Sequence, residues 1–144
     1  MENRMTLKLP AIGKNEALAR SIVAAFAVEL NPTTDELGDV KTAVSEAVTN
    51  SIVHGYPNGG GDVEINAAID GETLHIEVLD RGIGIPDIEA ALQPFYTTKE
   101  NEERSGMGFT VMDSFMDSLK VENRDGGGLR VTMEKSFERK IAGD

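Results

Sequence analysis

The sequence has no cysteine, only two histidines and no Walker-type G-x-x-x-x-G-K-[ST] run. Without cysteine there is neither a disulfide framework nor a thiolate metal site, in keeping with a reducing compartment. His54 and His75 fall on a predicted helix end and in a predicted strand, with no ligand spacing between them. No Ser/His/Asp triad can be assembled around either one. No stretch reaches the roughly 18 consecutive apolar residues of a membrane span, and residues 1–10 lack the apolar run of a signal peptide. The expectation is a soluble, cytoplasmic protein with no membrane contact. Basic charge is scarce too: 14 Lys and Arg face 25 Asp and Glu, a net charge of -11. That balance repels phosphate backbones and argues against direct nucleic-acid binding. A nucleotide held here must be held locally, by Mg²⁺, backbone N–H groups and a few placed cations.

With 40% hydrophobic residues in 144 positions, the chain is long enough for one core. No composition shift marks a boundary, so residues 1–144 read as one domain. Met5, Leu7 and Leu9 alternate with polar residues up to Pro10, which predicts a strand. Asn15 stands as an N-cap before a helix over 16–30, stopped by Asn31-Pro32. Thr33-Thr34-Asp35-Glu36 has capping-box form, and Leu37, Val40, Val44, Ala47, Val48 and Ile52 extend a helical stripe to His54-Gly55. Two alternating runs around Asp70-Gly71 predict a hairpin. Residues 87 to 105 are polar and irregular apart from a short helical patch at 88–92, as in a functional lid. A helix from Phe109 and two strands flanking Asp125-Gly126-Gly127-Gly128 complete the pattern. Hairpin-paired strands with interspersed helices predict an α/β two-layer sandwich, a mixed, mainly antiparallel sheet with helices on one face. The methionines at 107, 112, 116 and 133 read as core filler.

Three short motifs carry chemistry. Glu46 and Asn50 stand four apart on the second helix, so their side chains project together, away from the valine stripe. An amide oxygen suits Mg²⁺ and a carboxylate suits proton removal from a hydroxyl or water. Asp80-Arg81-Gly82-Ile83-Gly84 leaves a strand with an acidic side chain and two glycines. The acid is able to accept from an exocyclic amine such as that of adenine, while the glycines let backbone pass close to a flat base. Ser105-Gly106-Met107-Gly108-Phe109 opens a helix whose N–H groups suit phosphate oxygens, and Thr97, Thr98, Lys99 and Arg104 add hydroxyls and cations upstream. Each motif by itself also fits a solvated surface or an ordinary turn.

Taken in this order on helix, strand-turn and lid-helix, the three resemble the N, G1 and G2 boxes of the GHKL ATPase superfamily. The text around them is similar to the bacterial anti-sigma factor serine kinases: Ser45 to Asn50 with His54-Gly55-Tyr56, and Phe95-Tyr96-Thr97-Thr98-Lys99 leading to Arg104 through Phe109. The resemblance covers nearly the whole chain and implies a Bergerat ATP-binding fold using ATP and Mg²⁺. It implies that Glu46 is the general base for a substrate serine, Asn50 holds Mg²⁺ and Asp80 reads adenine. Gly82 and Gly84 would pass beside the base, and residues 97–108 with Phe109 would close over the phosphates. Arg20 matches a partner-contacting position. The implied partners are a sigma factor, an anti-anti-sigma protein as phosphorylation substrate, and a second copy in a homodimer. The rival readings are a non-catalytic, ATP-dependent sequestering module and the catalytic domain of a histidine kinase. One departure stands out. The family opens its last strand with Gly-Thr-Thr, its threonine near the adenine, where this chain has Gly128-Leu129-Arg130 and Thr132 comes two or three positions late.

Overall fold

A computed structural model of the chain describes residues 3–93 and 108–137. Among these residues five strands form one sheet: β1 (Asn3–Pro10), β2 (Asp62–Asp70), β3 (Thr73–Leu79), β4 (Ser118–Asn123) and β5 (Leu129–Ser136), in the order β1-β2-β3-β5-β4. Every pairing among the described residues is antiparallel, so the parallel component of a mixed sheet is not found. The register follows from side-chain alternation. Val63, Ile65, Ala67, Ile69, Leu74, Ile76, Val78, Val131 and Met133 are buried, whereas the residues between them in β2, β5 and most of β3 stay half-exposed. The exception is Leu79, buried out of step at the end of β3.

Among the described residues four α-helices accompany the sheet: α1 (Asn15–Ala27), α2 (Thr34–Asn50), α3 (Ile88–Ala91) and α4 (Gly108–Phe115). Ala19, Val23 and Ala27 of α1, Val40, Ala43, Val44, Ala47 and Val48 of α2, and Met112 of α4 join the strand residues in one core. Burying a valine, leucine or isoleucine contributes about 1.5–3 kcal/mol over leaving it exposed. This stripe, rather than helix propensity, therefore holds α2 on the sheet. Met116 and Met133 are buried as well, as their filler role requires.

The second helix begins as expected. Thr33 Oγ1 accepts from the Glu36 N–H at 3.1 Å, and Glu36 Oε1 accepts from the Thr33 N–H at 2.8 Å, the two halves of a capping box. The first helix differs from expectation. Asn15 is its first residue and not its cap: the backbone is already helical at Lys14, the N-cap, and the Asn15 amide donates to the Pro10 carbonyl at 2.9 Å. The α-helix proper ends at Ala27, a 3₁₀ turn carries the chain to Leu30, and Asn31 adopts the left-handed conformation before Pro32. His75 is structural: its Nδ1 pairs with Glu134 Oε2 at 2.6 Å across β3 and β5.

Candidate functional site

The site is built where α2 ends. With the Val40/Val44/Val48 stripe on the sheet, Glu46 and Asn50 remain half-buried beside it. Past Asn50 the coil widens into a π-helical turn, Ser51–Gly55. Widened turns of this kind are frequent at functional sites. Gly55 then meets the segment leaving β3: its carbonyl accepts from the Ile83 N–H at 2.9 Å. A Cβ on Gly82 would lie 2.0 Å from that carbonyl oxygen, and a Cβ on Gly55 would lie 3.1 Å from Asp80 Oδ2. The turn that follows α2 and the turn that follows β3 are thus brought together by a backbone contact that at position 82 only glycine permits.

Asp80 is 2% exposed, one of two buried polar residues among those described. Its N–H donates to the Leu129 carbonyl at 3.1 Å, which extends the β3–β5 ladder by one rung. The returning bond of that rung goes elsewhere. The Leu129 N–H donates to Asp80 Oδ1 at 3.2 Å, and the Gly82 N–H donates to the same oxygen at 2.9 Å. The Asp80 carbonyl accepts instead from Arg124 Nη1 at 2.9 Å. With Oδ1 occupied by two backbone donors, Oδ2 is the carboxylate oxygen directed at Gly55.

Four residues to which the sequence assigned no role of their own hold this arrangement. Asn123, ending β4, makes two hydrogen bonds to Ile85, accepting from its N–H at 2.9 Å and donating to its carbonyl at 2.8 Å. Arg124 meets Asp80 as described, and Arg81 returns the contact by donating to the carbonyls of Asp125 at 2.8 Å and Gly127 at 3.2 Å. Tyr56 accepts from the Arg81 N–H at 2.7 Å and donates to the Asp62 carbonyl at 2.8 Å. The Asp125–Gly128 run was legible only as a turn. Nothing in the sequence said that a Cβ on Gly128 would stand 2.0 Å from the Asp80 carbonyl oxygen.

This glycine-lined junction of helix end and acidic turn can now be set beside known proteins. The family model described as the histidine kinase-like ATPase domain matches residues 9–135. An anti-sigma F factor from Clostridium acetobutylicum is 57% identical over 95% of this chain and 96% of its own length. One from Geobacillus stearothermophilus is 51% identical over 95% and 94%. The chain belongs to the histidine kinase-like ATPase family, among the anti-sigma F factors. Solved structures agree on the fold. The RsbU and RsbW domains of a Mycobacterium tuberculosis protein match with a TM-score of 0.68 at 17% identity, covering 95% of this chain and 32% of that one. The catalytic domain of the histidine kinase ThkA matches at 0.59 and 15%, covering 92% and 97%.

An ATPase fold of this family supplies the context for the remaining residues. Gly108 and Phe109 open α4, which packs on α2, and Phe109 is buried. The other end of α4 is fixed by Lys135, whose Nζ donates to the Phe115 carbonyl at 3.0 Å and pairs with Asp39 of α2 at 3.6 Å. Gly84, with φ +70, sits against Asn123 Oδ1. Thr97, Thr98, Lys99, Arg104, Ser105, Gly106 and Met107 lie outside the described residues.

Arg20 projects from α1 with Glu16 at 3.3 Å. It lines a cleft of about 350 Å³ together with Gly38, Lys41, Thr42, Ser45 and Glu46 of α2. The expected base and the expected partner contact therefore share one opening, which their separation of 26 positions did not reveal. Thr132 does not replace the missing threonine. It pairs with Glu77 and Lys120 between the buried Val131 and Met133, so its side chain stands on the helix-free face.

Among the described residues no three acidic or histidine side chains cluster as a metal cage. Mg²⁺ carried in by a nucleotide keeps waters and phosphate oxygens and needs only one or two protein oxygens. Asn50 offers one. No helix among the described residues is long and apolar enough to cross a membrane.

Proposed function

We propose that this chain, acting as one domain, binds Mg-ATP between α2 and the Asp80–Gly84 turn, inhibits a sigma factor of the sporulation sigma F type, and phosphorylates a serine of its anti-anti-sigma partner. The observation that carries the reading is the seating of the α2 end on the acidic turn, Gly55 against Asp80 and Gly82, in a chain that is 57% identical to an anti-sigma F factor. Asp80 Oδ2 is assigned to the exocyclic amine of adenine, and the glycines at 82 and 84 let the base lie close to backbone. Asn50 is assigned to Mg²⁺, which supplies charge neutralisation on the phosphates. Thr97, Thr98, Lys99, Arg104 and the Ser105–Phe109 run are assigned to the phosphates.

Glu46 is assigned as the base. It takes the proton of the substrate serine hydroxyl while Oγ bonds to the γ-phosphorus and the bond to the β–γ bridging oxygen breaks, leaving ADP. Phosphoryl transfer needs mainly positioning and charge stabilisation, and the groups named supply both. The cleft shared by Arg20 and Glu46 supports docking of the partner next to the base, with a homodimer as the working assembly.

The test is incubation of the protein with labelled ATP and the anti-anti-sigma protein encoded in the same cell, followed by phosphoserine detection. Label on a partner serine is expected, and Glu46→Gln is expected to lower transfer roughly 10²–10⁴-fold with ATP binding kept. Undiminished transfer in that variant removes Glu46 as base. Absence of any heat on titrating Mg-ATP ends the reading.

A further inference from the structure

We propose that Arg124, in the turn between β4 and β5, sets base selectivity in this chain by deciding which oxygen of Asp80 closes the last rung of the sheet. The inference rests on the reading of Asp80 as the adenine contact. Asp80 carries two acceptors that compete for one donor, the Leu129 N–H. In a regular antiparallel rung that N–H bonds the facing main-chain carbonyl. Here it bonds Asp80 Oδ1 at 3.2 Å, while the displaced carbonyl is taken up by Arg124 Nη1 at 2.9 Å.

Among the described residues four bonds hold Asp80, and the arginine bond is the only one of them that another side chain supplies; the others are to the Leu129 carbonyl and from the N–H groups of Leu129 and Gly82. A buried carbonyl without a partner is costly. Without Arg124, the Asp80 carbonyl is driven to recover the Leu129 N–H. Oδ1 then loses one of its two anchors and the carboxylate its fixed aim. A base contact works only when held within about 0.5 Å of its productive position.

The turn is built to deliver this arginine. Gly126, Gly127 and Gly128 all have positive φ, and a Cβ on Gly128 would stand 2.0 Å from the Asp80 carbonyl oxygen, so backbone and guanidinium reach it together. Arg81 grips the same turn through the carbonyls of Asp125 and Gly127, and Asn123 grips Ile85 beyond it. Leu129 itself contributes its backbone N–H to this carboxylate. Selectivity then passes to whatever controls that N–H.

The experiment measures dissociation constants of ATP and inosine triphosphate, which lacks the 6-amino group, on the full chain by calorimetry. Asp80→Asn comes first: if it leaves the preference for ATP unchanged, the reading of Asp80 fails and the inference with it. If Asp80→Asn does abolish the preference, Arg124→Met decides the inference. The expected result is a preference about fivefold smaller, with affinity for inosine triphosphate nearly unchanged, since the phosphate contacts are untouched. Arg124→Lys, which restores a cationic donor, is expected to recover part of the preference. An equal fall for both nucleotides, or no change in either, overturns the proposal. Should Arg124→Met fail to fold by circular dichroism, Arg81→Met, which loosens the turn from its far side, is expected to shrink the preference in the same sense. An unchanged preference there overturns it equally.

Discussion

Gly82 lies so close to Gly55 that a Cβ on it would come within 2.0 Å of the Gly55 carbonyl oxygen and 2.7 Å of its Cα. The atoms in the way are backbone, and they belong to the turn that ends α2, so no side-chain rotation relieves the overlap. Gly82 is the separator: a substituent there pushes the helix end away from the acidic turn, and the site opens.

Gly82→Ala is therefore expected to destabilise the protein by about 1–3 kcal/mol and to weaken nucleotide binding together with it. Gly38→Ala is the matched control. Gly38 sits inside α2, and a Cβ added there would meet nothing within 4 Å, so alanine is expected to stabilise by about 0.5–1 kcal/mol. Urea unfolding of both variants checks the contrast, and equal effects would contradict the contact.

Asp80→Asn tests the carboxylate without changing its size. The amide oxygen is able to keep the Gly82 and Leu129 N–H bonds, which turns the NH₂ group toward the position of Oδ2 and faces a donor with a donor. ATP affinity is expected to fall at least tenfold, about 1.4 kcal/mol, with the fold intact. Unaltered affinity in calorimetry would take base reading away from this residue.

Tyr56→Phe removes one hydroxyl that accepts from Arg81 and donates to Asp62. The expected loss of stability is about 1 kcal/mol, read from denaturant midpoints. Because the Arg81 N–H belongs to the acidic turn, ATP affinity is expected to fall as well; full affinity would show that the turn holds its shape without the tyrosine.

Thr33→Ala breaks one half of the capping box at the far end of α2 from the nucleotide site. A loss of about 1 kcal/mol in unfolding free energy is expected, with nucleotide binding unchanged. A change in binding would mean that the whole helix, and not its C-terminal turn alone, positions Asn50.

Much of this molecule is legible in the order of its residues. Alternation placed Met5, Leu7 and Leu9 in β1 and the two runs around Asp70-Gly71 in β2 and β3, because a strand's two faces are written every second residue. The valine stripe of α2 and its capping box are equally local, since a helix declares its buried face within two turns. Glu46-x-x-x-Asn50, Asp80-x-Gly82-x-Gly84 and Gly106-x-Gly108, taken in order, resemble the boxes of the GHKL ATPase superfamily, and that resemblance indicated a nucleotide-binding fold.

Asn15 was misjudged because the backbone already turns helically at Lys14, the actual N-cap, so Asn15 falls inside the helix, where its amide donates to the Pro10 carbonyl. Which residues touch across the site was decided by packing. Asp80 meets Arg124 across 44 positions and Leu129 across 49, and such pairings exist only after β5 is inserted between β3 and β4. By itself the sequence determined the elements, their buried faces and the identity of the chemical groups. The tertiary structure decided that Gly55 abuts Gly82, that Arg20 opens onto the cleft of Glu46, that Thr132 faces away, and that Asp80 closes its own sheet rung with a side chain. Periodicity is a property of neighbours along a chain, whereas a shared donor or a missing Cβ acquires meaning only from the segment that folding brings against it.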